Sequence, residues 1–186
     1  LATLHTQSAP STIDRVIDVF PPAQQAQVRM QLANTLQGIV TQTLMPTSDG
    51  KGRVAALEIL FLDDAIRNLI RQGKIEQVYS YMQTGGRRGM QTMEQSLTEL
   101  VQKNLISVSE AVGRSGRPEA LVSALERAGI PIPTLARADV LDVRDRRVEA
   151  LAVVGGERQG PDAFAHPVGR GAVLGAGDFL GDGDGE

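Results

Sequence analysis

The chain has 186 residues, enough for one domain with its own core, and its 41% hydrophobic and 22% charged residues are the balance of an ordinary soluble globular protein. A net charge of −3 supplies no basic field for nucleic acid or anionic lipid, and four Phe, two Tyr and no Trp make base-stacking platforms a poor expectation. The absence of cysteine excludes disulfides, thiolate catalysis and cysteine zinc sites, and it fits a cytoplasmic protein.

Leu1 to Leu4 reads as the end of a buried strand, with neither a basic start nor a long apolar stretch to suggest a signal peptide. No Met opens the chain, so it is expected to begin within something longer. Ser11-x-x-Asp14, after Pro10, has the form of a helix start, and Ile13, Val16, Ile17 and Phe20 follow at helical spacing until Pro21-Pro22. A long helix is predicted from about Gln24 to Leu44, with Val28, Leu32, Leu36, Ile39 and Val40 on one face. Turn residues fill Pro46 to Gly52. Val54 to Phe61 is the best strand. Leu57, Ile59 and Phe61 alternate there, and apolar Leu60 implies burial on both faces.

Helices are predicted over Asp64–Arg71 and Ile75–Thr84, separated by Gly73 and closed by Gly85-Gly86. Thr92-x-x-Gln95 and Ser107-x-x-Glu110 are capping boxes, the first leading a helix with Met93, Leu97, Leu100 and Val101 inward. Pro118 suits the first turn of a last helix carrying Leu121, Val122 and Leu125, ended by Gly129. From Arg137 the chain reads as irregular. Residues 155–186 hold ten of the twenty glycines and read as disordered, because they offer too little apolar surface to offset their ordering entropy. His166 lies in that tail and takes no role. Asp182-Gly183-Asp184 resembles half a calcium loop but lacks the closing Glu at the proper distance and reads as low-complexity composition, and Arg87-Arg88 is a solvated basic pair or a weak anion site.

Several motifs in unbroken order carry a resemblance. Thr3-Leu4-His5-Thr6, followed by Thr12 to Pro21, is similar to the His box and succeeding helix of the secretion ATPase superfamily. Gln42 to Leu44 resembles the end of the next helix there, and Gly52 to Ile59 a late core strand. Ala65-Ile66-Arg67-Asn68-Leu69-Ile70-Arg71 resembles the AIRNLIR signature of retraction motors. Gln83 to Gly85 and Gly89 to Met93, with Leu100-Val101, resemble the terminal helices. Residues 1–128 therefore resemble the carboxy-terminal part of the type IV pilus retraction (PilT, twitching-motility) ATPases. Extension and type II secretion motors usually carry a four-cysteine zinc loop where this chain has only Met45 to Lys51, which favours the retraction type.

The resemblance implies an α/β fold, the helix-rich C-terminal part of a RecA-like P-loop ATPase domain with a disordered tail. Residues 1–62 would be the remnant of the ATPase core, 63–129 a C-terminal helical subdomain, and 130–186 an irregular Gly-rich tail without a family counterpart. It implies that His5 stands on the γ-phosphate side as a polar sensor, where imidazole can bond a phosphate oxygen or the attacking water. It implies that Ala65 to Arg71 is a coupling helix, with Ile66, Leu69 and Ile70 inward and Arg67, Asn68 and Arg71 outward. The plain alternatives are a surface histidine and an ordinary amphipathic helix.

The full-length relative would bind ATP and Mg2+, act as a cytoplasmic homohexamer at the inner membrane, and engage the pilus platform protein. Neither nucleic acid nor membrane insertion is expected. Gly-x-x-x-x-Gly-Lys-Ser/Thr occurs nowhere in these residues, so no cofactor or metal site and no ATP hydrolysis is expected of this chain alone. The alternatives are an inert helical module that binds motor subunits, or part of a type II secretion or pilus-extension ATPase.

Overall fold

The computed structural model describes residues 2–133 and 149–154. Expectations for residues 137–148 and 155–186, including His166 and Asp182 to Asp184, lie outside the described residues. Within them the fold is helix-rich α/β, as expected. The elements are β1 (Ala2–Leu4), α1 (Ala9–Asp18), α2 (Pro22–Thr35), β2 (Leu36–Pro46), β3 (Arg53–Phe61), α3 (Asp64–Gln72), α4 (Val78–Thr84), α5 (Met93–Gln102), α6 (Val108–Arg114), α7 (Pro118–Arg127) and β4 (Glu149–Val154). The strands form one antiparallel sheet in the order β1-β4-β2-β3.

The long helix predicted from Gln24 to Leu44 is two elements. Its first part is α2. From Leu36 the chain is strand, laddered to β3 from Gly38↔Phe61 to Pro46↔Arg53. Gly38, Ile39, Val40, Thr41 and Thr43 disfavour a helix and suit a pleated strand. At Gly38 any Cβ would come within 2.9 Å of the Leu60 carbonyl oxygen, so only glycine permits this close approach. The residues buried beyond it are Ile39, Thr41, Thr43 and Met45, a period of two that helical counting overlooks because two of its members are polar.

Other expectations shift in smaller ways. β1 is mostly exposed, not buried. The first helix starts earlier than Ser11: Ser8 is its N-cap, and Ser8 and Ser11 form the capping box. α1 ends at Asp18, before the prolines, and Pro22 opens α2, where a missing N–H costs nothing. In β3 the deepest residues are Ala56, Glu58 and Leu60, while Leu57, Ile59 and Phe61 are half-buried. Gly85-Gly86 does not end the helical path, since a 3-10 turn runs on to Arg88 and Gly89, at φ 79°, closes it. Thr92 and Gln95 form the full capping box, whereas Ser107 caps α6 with its side chain alone. Glu149–Val154, within the stretch read as irregular, is a strand between β1 and β2.

One face of the sheet supports two apolar clusters. Ile39 and Leu60 belong to the first, with Ile13 and Ile17 of α1 and Ile66 and Ile70 of α3. Met45 and Ala56 belong to the second, with Leu97 of α5, Val112 of α6 and Leu121 of α7. Between these two pairs on the same face lies the cross-strand pair Thr41↔Glu58, both fully or almost fully buried. A polar layer thus separates two cores.

Candidate functional site

His5 follows β1 at one edge of the sheet and is exposed; α3 follows β3 at the other edge. The two parts of the sequence-predicted site are therefore not brought together by the described residues. The loop after His5 is held firmly. Thr6 is buried, and its hydroxyl bonds that of Thr12 at 2.6 Å. Ser8 accepts from the Ser11 amide at 3.2 Å, and the Ser11 hydroxyl accepts from the Ser8 amide at 3.0 Å.

Asp63 caps α3, its Oδ1 accepting from the Ile66 amide at 3.0 Å, and Gly73, at φ 69°, ends the helix in the left-handed conformation. The other Asp63 oxygen accepts from the Tyr81 hydroxyl at 2.7 Å and from Arg88. Burial raises the Asp63 pKa, but the Ile66 amide, Tyr81 and Arg88 together outweigh it and hold the carboxyl below its ordinary range. Arg88 is thus paired rather than free, while Arg87 remains exposed.

Ile66 and Ile70 are buried as expected, but Leu69 is only half-buried. Asn68 and Arg71 are exposed, as is Ala65; Arg67 is half-buried. Both arginines have internal partners. Arg67 donates to the Ala33 carbonyl in the last turn of α2, and Arg71 donates to Asn34 Oδ1 at 2.8 Å. A guanidinium at a helix C-terminus satisfies an orphan carbonyl and complements the helix dipole. The basic edge of α3 therefore ties α3 to the α2–β2 junction, a role that the bare heptapeptide does not display.

A second group of residues escaped the sequence reading. Glu58 Oε1 accepts from the Ala9 amide at 2.5 Å, and the same carboxylate bonds the Met93 amide. Those amides are the first of α1 and α5. The capping boxes serve the third amide of each helix, at Ser11 and Gln95, and leave the first without a partner. Glu94 lies close by and is buried, accepting from the Tyr79 hydroxyl at 2.8 Å, and the Arg117 guanidinium stacks on the Tyr79 ring at 3.6 Å.

Burial pushes the Glu58 carboxyl up to about 7; Glu94 adds to this, while the two amides and Arg117 oppose it. Burial and the Glu94 charge raise the Tyr79 phenol as well. Thr41, directly across from Glu58, has a buried hydroxyl without a hydrogen-bond partner among the described residues. The signal for Glu58 was present in the sequence: a glutamate inside a run read as buried on both faces has no wet face to occupy.

The outer edge of β3 is sealed by the segment leading into α5. Ile59 and Gln91 exchange backbone hydrogen bonds at 2.8 and 2.9 Å, and Leu57 donates to the Ser96 hydroxyl at 3.0 Å.

No protein-family model matches the chain. Against individual proteins, it is 52% identical over 117 residues to the type IV pilus retraction ATPase PilT of Pseudomonas aeruginosa, covering 63% of this chain and 34% of that protein. The chain carries a PilT-family segment. It is also 47% identical over 119 residues to the twitching motility protein of Neisseria gonorrhoeae, covering 64% of this chain and 32% of that one. The crystal structure of the pilus retraction motor PilT with bound ADP matches 64% of this chain and 33% of its own at 47% identity, with a TM-score of 0.58. The chain spans about a third of the length of the curated relatives it matches.

ADP bound to that PilT structure raises the question of what these residues offer a nucleotide. His5 is a single exposed imidazole, and the Gly-x-x-x-x-Gly-Lys-Ser/Thr amide cradle is missing from the sequence. Among the described residues, no group of three His, Cys, Asp or Glu side chains is placed to hold a metal ion, and no helix is long and apolar enough to cross a membrane.

Proposed function

We propose that this chain is the portion of a pilus retraction motor that backs the nucleotide site and passes movement outward. The observation that carries this is the 47–52% identity to a twitching motility protein and to PilT. In this reading His5 stands on the γ-phosphate side of ATP, bound with Mg2+ by the rest of a full-length motor. An imidazole there orients the terminal phosphate or the attacking water, and charge stabilisation comes from groups outside this segment. α3 is the coupling helix. Its Arg67 and Arg71 ties to α2 make it move with the α2–β2 junction, while exposed Ala65 and Asn68 face outward. The assembled motor is a homohexamer, peripheral to the inner membrane on its cytoplasmic side, working against the pilus platform protein.

The chain alone is expected to release no phosphate from ATP. Turnover that disappears in His5→Ala would contradict that expectation. The functional reading is tested by a chimera in which residues 1–128 replace the matching segment of a PilT, expressed in cells that lack retraction. Restored twitching is expected. A chimera that accumulates and hydrolyses ATP normally yet leaves cells immotile would overturn the reading.

A further inference from the structure

Both helices that meet Glu58 present a first-turn amide that their own caps cannot reach. Ala9 is fully buried and Met93 is 7% exposed, so water is not an easy substitute partner at either end. One carboxylate answers both. The two amides are 84 positions apart and belong to different apolar clusters: Ala9 lies in the cluster of α1 and α3, Met93 in that of α5 to α7. Ala9 stands four residues after His5 and opens the helix whose capping box and Thr6–Thr12 bond fix the intervening loop.

We propose that Glu58 is a positioning residue that ties the α5 N-terminus to the His5 loop, so that displacement of the α5–α7 layer moves that loop through one shared carboxylate. An anchor shared by two helix ends is stiff, because the carboxylate cannot follow one helix without straining its bond to the other. Ionisation tightens it, since a carboxylate complements both helix dipoles and bonds amides more strongly than a neutral acid does. The charged or titratable groups around Glu58 are Glu94 of α5, Tyr79 of α4, bonded to Glu94, and Arg117 at the start of α7. β2 faces it with the neutral Thr41, and α1 with the Ala9 amide. The tie's meaning for catalysis rests on the proposed place of His5 beside nucleotide. The tie itself is tested without nucleotide or pilus, so the two can fail separately.

The experiment follows backbone amide resonances of the 15N-labelled 186-residue chain from pH 5 to pH 9. A His5→Gln background removes the imidazole's own titration. The Ala9 and Met93 amides are expected to shift together with one midpoint near 7, while the Ser11 and Gln95 amides, each bonded to a cap hydroxyl, stay nearly fixed. In Glu58→Gln both transitions vanish. Transmission is read by adding Thr92→Ala, which loosens α5 at a point that does not touch the loop. The Thr6 to Ala9 amides should move when Glu58 is present and hold still in Glu58→Gln. Separate midpoints for Ala9 and Met93, or fixed amides at both, would overturn the proposal in the Glu58 protein alone, even if Glu58→Gln fails to fold. Persistence of the transitions in a folded Glu58→Gln, or equal loop displacement by Thr92→Ala in both backgrounds, would overturn it as well.

Discussion

Two regions of this molecule solve the same problem in opposite surroundings. At the rim, Arg67 of α3 reaches a carbonyl in the last turn of α2; in the interior, Glu58 of β3 reaches the first amides of α1 and α5. Each places a group whose charged form has the sign that the helix end favours. The rim tie is half-exposed, so water stands ready to replace it and its loss is cheap. The interior tie has no such substitute, and its charge is itself opposed by burial. A rim tie is suited to being made and broken during movement, whereas an interior tie is suited to keeping two elements moving as one.

That contrast predicts a ranking of effects. Glu58→Ala leaves two buried amides without a partner, at about 1–3 kcal/mol each, and should be among the most destabilising single changes in the chain. Denaturant unfolding at pH 5.5 measures it, and a loss below about 1 kcal/mol would mean that water reaches the site. Ile66→Ala, at a fully buried position, should cost about 2–5 kcal/mol, and Leu69→Ala less because that side chain is half-buried. Equal losses for the two would contradict the packing of α3. Arg67→Ala should cost about 1 kcal/mol through the orphaned Ala33 carbonyl. Arg71→Ala, whose partner Asn34 is exposed, should stay within about 0.5 kcal/mol. Paired melting and twitching assays on full-length motors bearing these arginine changes then separate stability from coupling. A normal melt with weakened retraction supports the proposed coupling role, and normal retraction removes it.

The sequence displayed α3, α5, α7 and β3 well, because each carries its own punctuation: Gly73 after α3, the Thr92–Gln95 box before α5, Pro118 in α7, and a dense apolar run in β3. It concealed β2. Following Leu32 of α2, Leu36, Ile39 and Val40 mimic a helical stripe, while the true inward face includes Thr41 and Thr43, and Leu44 points to solvent. Only the ladder to β3 resolves that ambiguity, and ladders are not local. His5 and the α3 heptapeptide were legible through resemblance. The Glu58 layer was not, since its logic lies in two helix ends far apart in sequence that converge on one carboxyl group. The strand at Glu149–Val154 was hidden by the glycine-rich composition that follows it.

The central claim is that Glu58 is a dry carboxyl set between the two halves of the core, and the pH dependence of stability tests that burial most directly, because the amide bonds by themselves would lower its pKa. The folded protein holds the Glu58 proton up to about pH 7, against an ordinary value of 4.5 for the exposed group. Stability from this group is therefore complete below pH 4.5 and is lost as pH rises through 7, by about 3 kcal/mol in total. The measurement is the thermal midpoint from pH 5 to pH 8 for the unaltered chain and for Glu58→Gln. The account predicts that the midpoint of the unaltered chain falls relative to the variant by roughly 6–12 °C over that range. Parallel curves for the two proteins would contradict it.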